Sequence, residues 1–225
     1  MSSLAVIPAR GGSTRLVDKN VTLLGGKPLI RWITESVIES NCFDKVVIST
    51  DSDTIFDCVS DLQVERHERP KHHATTKATV LNAMINLMEN YERHDIFAYF
   101  LPTCPFVTPA QIATGFDMLE WERCDSVISM TKMQDTVQLA CLMQDNHVLP
   151  VFDNLEAGLT NSKFIKQYYK PSGAFYMGYW DSILRDKNFF IGDTRGVVIP
   201  EENSIDINTK TDMELAEALL NANSI

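Results

Sequence analysis

A chain of 225 residues, 44% hydrophobic and 22% charged, holds enough apolar material for one substantial core and suits a single domain, residues 1–225, better than two. Its formal net charge of −10 repels a polyanion, so nucleic acid is not an expected partner, and no run reaches the ~20 apolar residues that a bilayer span needs. The five cysteines are scattered and never form a CxxC pair, which argues against a disulfide framework and a zinc site, and the opening MSSLAVIPARGG lacks the basic segment and long apolar core of a signal peptide, so a cytoplasmic protein is expected.

Leu4 to Pro8 is a short apolar run ended by a glycine-containing loop and predicts a first strand. Pro28 to Ser40 carries Leu29, Ile30, Ile33, Val37 and Ile38 at helical spacing, and Lys45 to Thr50 is a second β-branched run. That is a βαβ unit. Asp51 to Leu62 predicts a helix capped by Asp51 or Ser52, and Ala78 to Tyr91 predicts another, apolar at Val80, Leu81, Met84, Ile85 and Met88. Ile96 to Pro102 reads as a strand, Pro109 to Trp121 as a helix opened by its proline, and Ser126 to Met130 as the next strand. Strands alternating with helices of this length predict an α/β fold, a mostly parallel sheet with helices on both faces.

The second half is less regular. Leu139 to Phe152 predicts two short strands around the turn Gln144-Asp145-Asn146, and Asn154 to Gln167 is polar and poorly patterned, so a protruding arm or lid is expected at about 139–170. Pattern returns at Gly173 to Gly178, at Gly196 to Pro200, at Ser204 to Asn208, taken as a strand, and in a closing helix from Thr209 to about Asn221.

In parallel α/β sheets, ligands bind beyond the carboxyl ends of the strands, where loop amides and helix N-termini converge. Ile7 to Asn20 (IPARGGSTRLVDKN) leaves the first strand with what a triphosphate needs. Gly11 and Gly12 allow close backbone approach, Ser13 and Thr14 offer hydroxyls, and Arg10, Arg15 and Lys19 offer charge. It matches neither the Walker pattern GxxxxGK[ST] nor GxGxxG, and the same residues also suit a solvated surface turn.

IPARGGSTRLVDKN is followed in order by GGKPLI, KVVISTDSDTI, Arg69-Pro70, LPTCP (Leu101 to Pro105), KPSGAFYMG (Lys170 to Gly178) and SIDINTKTDMELAEALL (Ser204 to Leu220). This ordered set resembles the acylneuraminate cytidylyltransferase family, the CMP-sialic acid synthetases and their relatives, over nearly the whole chain. The resemblance implies a Rossmann-like nucleotidyltransferase fold and a homodimer built partly by an arm from the second half. The implied reaction is attack of a sugar-acid hydroxyl on the α-phosphate of CTP, with Mg2+. Carried over by position, Ala9, Arg10, Gly11, Gly12, Ser13, Thr14 and Arg15 would hold the nucleotide phosphates and Lys19 would neutralise them. Asn20, Arg69 and Thr79 would border the nucleotide. Asp206 would be the main magnesium ligand with Asn208 as a second, and Arg10, Lys19 and Asp206 would be the catalytic set.

The chain departs from the family where Thr14 stands for a common lysine, Asn208 for the second acid of an Asp-x-Asp pair, Leu101 for glutamine and Ser172 for the asparagine of Asn-Gly. Ser162 to Lys166 also replaces an Arg-containing stretch ending in Gln-Leu-Pro. The acceptor is accordingly open: sialic acid or a related nonulosonic acid, another acid such as KDO, or none, in a catalytically impaired nucleotide-binding relative. Several residues carry two readings. Asn208 is a metal ligand or the N-cap of the last helix, and Asp51 is a cap. Thr103 and Cys104 turn a strand. Tyr168, Tyr169 and Tyr176 line a sugar or dimer surface or belong to the core, and His72 and His73 form a solvated turn.

Overall fold

Every residue of SLAVIP, the first strand β1 (Ser3–Pro8), is buried in the computed structural model, as a strand covered on both faces must be. The structure describes residues 1–13, 16–75, 78–155, 157–161 and 166–222. Successive β1 side chains feed opposite layers. Ala5 and Ile7 pack with Ile30, Ile33 and Val37 of α1 (Leu29–Glu39) and with Ile112 and Leu119 of α4 (Pro109–Trp121). Leu4 and Val6 pack with Met84, Leu87 and Met88 of α3 (Val80–Asn90) and with Trp180 and Ile183 of α5 (Trp180–Asp186). The period-2 alternation of the strand thus builds two cores, one on each face.

The main sheet has seven strands in the order β11-β7-β10-β6-β1-β4-β5. Beside β1 lie β4 (Lys45–Thr50) and β6 (Ile96–Phe100), both parallel to it, with β5 (Glu65–Glu68) parallel to β4 at one edge. β7 (Ser126–Lys132) and β11 (Thr194–Val198) are parallel to each other, and β10 (Tyr169–Tyr179) runs antiparallel to both β6 and β7. Between β1 and α1, β2 (Leu23–Leu24) and β3 (Lys27–Pro28) form a small separate ribbon. The expected α/β architecture with a mostly parallel, doubly covered sheet is what forms. Among the described residues no helix is long and apolar enough to cross a membrane.

The expected helices α1, α3 and α4 are in place. α4 opens on a capping box in which Thr108 accepts from the Gln111 amide and the Gln111 side chain accepts from the Thr108 amide. Three local readings change. The helix expected over Asp51 to Leu62 is only α2 (Asp53–Asp57), capped by Ser52. Past it the backbone bonds tighten to the i−3 pattern, Val59 to Phe56 and Leu62 to Val59, and this turn drops Val59 into the core. β5 and α5 were not expected. The segment Ser204 to Asn208 is not a strand: it follows a 3-10 turn at Glu201–Asn203 and is tied to the turn after β6 by a backbone bond from Ile207 to the Thr103 carbonyl, with Ile207 buried against Phe106, Met213 and Ala216. It packs over the turn after β6 and leads into α6 (Lys210–Asn221).

The expected arm begins as a two-stranded hairpin, β8 (Cys141–Gln144) and β9 (His147–Pro150). Its two-residue turn puts Asp145 and Asn146 at φ 48° and 64°, the double left-handed pattern that matches the twist of paired strands.

Candidate active site

β1, β4 and β6 end on the same side of the sheet, and the loops leaving them converge there. The loop after β1 is tied at each step. Ala9 still donates to the Ser49 carbonyl of β4 at 2.9 Å, and the Gly11 amide donates to Oδ1 of Asp51 at 2.9 Å. The Asn20 side-chain amide donates to the Arg10 carbonyl at 3.1 Å, and Arg10 Nη1 reaches the Ala74 carbonyl at 3.4 Å. A Cβ at Gly11 would lie 3.2 Å from Cβ of Ser52, so the loop comes this close to the start of α2 because Gly11 has none. A Cβ at Gly12 would meet nothing within 4 Å. Arg10, Gly11, Asn20, Ser52 and Thr54 line a cavity of about 140 Å³ at this point.

Asp18, in the left-handed region at φ 53°, starts the 3-10 turn Lys19–Val21, which aims Lys19 at the segment before α6. There Lys19 Nζ donates to the Ile207 carbonyl at 3.0 Å and to Oδ1 of Asn208 at 3.1 Å, while Nδ2 of Asn208 donates to Oδ2 of Asp206 at 2.7 Å. Lys19 and Asp206, which lie at opposite ends of the sequence, are therefore neighbours joined through Asn208. The cap of α6 is Thr209, whose hydroxyl accepts from the Asp212 amide. In return Asp212 Oδ2 accepts from the amides of Thr209 at 2.7 Å and Asn208 at 2.9 Å. Partial burial works against the Asp212 charge, but these two amides and the nearby Lys19 hold its carboxyl below the ordinary range. Of the two readings of Asn208, the cap falls to its neighbour.

Arg69 sits on the far side of the loop, 5% exposed, its Nε donating to the His73 carbonyl at 3.0 Å. Burial draws its guanidinium down from the usual value; the Asp51 charge opposes that shift and the Arg10 charge adds to it. Thr79 is the N-cap of α3, accepting from the Asn82 amide at 3.1 Å. Thr14 and Arg15 lie outside the described residues. The sequence offers Asp51 or Ser52 as the cap of α2; the structure gives the cap to Ser52 and sets Asp51 to hold the Gly11 amide. The one signal for this was a carboxylate directly after a buried strand.

Cys104, in the turn after β6, is fully buried and its thiol is pushed up by burial and by the Asp206 charge, so it stays protonated. Tyr176 is raised for the same first reason, and its ring stacks on Tyr99 with centroids 4.8 Å apart. Tyr168 and Tyr169 are exposed, and His72 and His73 form an exposed to half-buried 3-10 turn.

A hard divalent cation wants carboxylate oxygen and waters, and the exposed Asp206 carboxylate offers that. The Asn208 oxygen is engaged by Lys19. Among the described residues no three acidic, histidine or cysteine side chains cluster as a ready-made metal cage.

The cytidylyltransferase family model matches residues 4–219. The chain is 31% identical over 232 residues to a CMP-N,N'-diacetyllegionaminic acid synthase from Legionella pneumophila, covering 99% of this chain and 98% of that protein. It is 30% identical over 214 residues to an N-acylneuraminate cytidylyltransferase from Escherichia coli, covering 95% of this chain and 51% of that protein, so it spans about half the length of that relative. The solved structure of CMP:2-keto-3-deoxy-manno-octonic acid synthetase complexed with CTP superposes with a TM-score of 0.71 at 16% identity over 100% of both chains, which establishes the shared fold. By the match over residues 4–219, this chain belongs to the cytidylyltransferase family.

Proposed function

We propose that this chain transfers CMP from CTP to an acidic 2-keto sugar, sialic acid or a related nonulosonic acid, and releases pyrophosphate. The observation that carries the reading is the meeting of the β1 loop with Asp206 across Lys19 and Asn208, which sets phosphate-binding groups and a hard anionic ligand on one face of the site. Family membership and the names of the two relatives supply the nucleotide and the acceptor class.

In this reading a hydroxyl oxygen of the acceptor forms a bond to the α-phosphorus of CTP, the bond from that phosphorus to the bridging oxygen breaks, and pyrophosphate leaves. The amide of Gly12 and the side chains of Arg10 and Lys19 hold the phosphates and stabilise the charge that builds on the departing group, while the Gly11 amide is kept by Asp51 to shape the loop. Arg69 and Thr79 border the nucleotide through their segments, and Asn20 fixes the Arg10 carbonyl. Mg2+, held by Asp206, supplies further neutralisation of the phosphoryl oxygens when bound. The five cysteines, all free thiols, suit the reducing cytoplasm. A second copy of the chain is the natural cover for the exposed hairpin, making the working form a homodimer.

The test is pyrophosphate release from CTP and magnesium across a panel of 2-keto sugar acids. At least one nonulosonic acid is expected to be turned over by the parent. Asp206→Asn is expected to abolish turnover while sparing much of the CTP affinity. Release with no member of the panel would overturn the reading.

A further inference from the structure

Asn208 stands where its amide has a fixed orientation. Its oxygen faces the Lys19 ammonium at 3.1 Å and its nitrogen faces the Asp206 carboxylate at 2.7 Å. Turning the amide over would set NH2 against an ammonium and oxygen against a carboxylate, so both neighbours dictate the same rotamer. A carboxylate at this position could not do both, because the group must accept from a cation and donate to an anion. The backbone of the same residue is held separately, through its N–H on Asp212. Lys19 Nζ has three N–H donors, and two of them go to Ile207 and Asn208.

We infer that Asn208 is a positioning residue that locks Lys19 and Asp206 in one fixed relation before nucleotide arrives, and that it is not itself a metal ligand. The inference rests on the CTP reading above. Its first consequence concerns Lys19: an anchored ammonium meets the triphosphate without first losing side-chain freedom, so part of the CTP affinity in the absence of metal runs from Asn208 through Lys19. Its second concerns Asp206. With an amide donor on one carboxylate oxygen and a lysine one step behind it, the parent site carries a single anionic ligand shielded by a cation, and a divalent ion enters with the nucleotide.

The experiment is a double-mutant cycle of Lys19→Ala and Asn208→Ala, reading CTP affinity by calorimetry in EDTA and again with magnesium. Asn208→Ala retains the backbone bond to Asp212, and its melting temperature monitors the fold. In EDTA it is expected to bind CTP at least about threefold more weakly than the parent, while the double variant matches Lys19→Ala within about twofold, the non-additivity of groups acting as a unit. Full additivity, or unchanged CTP affinity in EDTA with a loss confined to magnesium, would overturn the inference and make Asn208 a ligand. A parent that binds CTP only with magnesium would overturn it as well, with the CTP reading intact; a parent that binds no CTP under either condition would sink both. A second readout is Mn2+ binding without nucleotide, followed by electron paramagnetic resonance. Asn208→Asp sets two carboxylates side by side and is expected to bind Mn2+ that the parent does not retain. Equal retention by parent and Asn208→Asp would contradict the positioning role.

Discussion

Arg10 leaves β1 with its carbonyl held by Asn20 and its guanidinium reaching toward Ala74, so its side chain crosses the mouth of the loop. Losing a charge-assisted contact to a phosphate costs ~1.5–3 kcal/mol, so Arg10→Ala should weaken CTP binding by roughly tenfold or more without unfolding the protein. Calorimetry against CTP checks this, and an unchanged affinity would remove Arg10 from the site. Asp51 gives a parallel prediction: Asp51→Ala frees the Gly11 amide and removes a carboxylate whose charge favours the buried Arg69 guanidinium, so the loop loses its tie and CTP affinity should also fall although Asp51 contacts no phosphate. At this scale the sequence was most legible where charge sits at a strand end. Arg10, Lys19 and Asp206 could be named from their types and from the ordered motifs. Asp51 and Asn208 could not be given their roles, because a short polar side chain beside a helix start looks like a cap whichever bond it makes. Only the geometry shows that Ser52 and Thr209 cap those helices and release Asp51 and Asn208 for the loop and for Lys19.

Elements were legible in proportion to their apolar pattern. β1, β4, α1 and α4 carry continuous or periodic apolar residues and appear within a residue or two of where the sequence puts them. β5 is Glu-Arg-His-Glu, an edge strand whose neighbours tolerate charge, and it has no alternation to read. Ser204 to Asn208 has the alternation of a strand, yet it serves to bury Ile207 over the β6 turn. The hairpin β8-β9 is the element with the clearest unmet demand. Leu142 pairs with Leu149 on one of its faces and Met143 with Val148 on the other, and Leu142 and Met143 are 63% and 68% exposed. A lone two-stranded ribbon with apolar side chains on both faces is marginal in water and needs a cover. Sedimentation of the parent at micromolar concentration should therefore give a dimer, and Leu142→Asp with Val148→Asp should give a monomer. A parent that sediments as a monomer would refute the assembly.

The whole molecule places the groups proposed to bind CTP at one end of the sheet and a buried, unpartnered histidine at the other. His94, 6% exposed and next to the start of β6, lies between the rings of Tyr91 and Trp180, and among the described residues neither of its ring nitrogens has a hydrogen-bond partner. Burial draws its pKa below the ordinary imidazole value of about 6.5, with Glu92 opposing. A depressed folded pKa means that the unfolded chain takes up the proton first, so stability present above about pH 6.5 is lost as the pH falls below it. The melting temperature should drop between pH 7 and pH 5, and His94→Phe, which keeps the aromatic packing, should reduce that drop. An equal drop in His94→Phe would assign the pH dependence to other groups. The central claim concerns the opposite end of the sheet, and phosphorus NMR of the parent with CTP, magnesium and a nonulosonic acid addresses it most directly. The account predicts loss of the triphosphate signals with equal growth of pyrophosphate and of one phosphodiester resonance, the CMP-sugar; release of free CMP, a diphosphate product, or no change with any 2-keto sugar acid would contradict it.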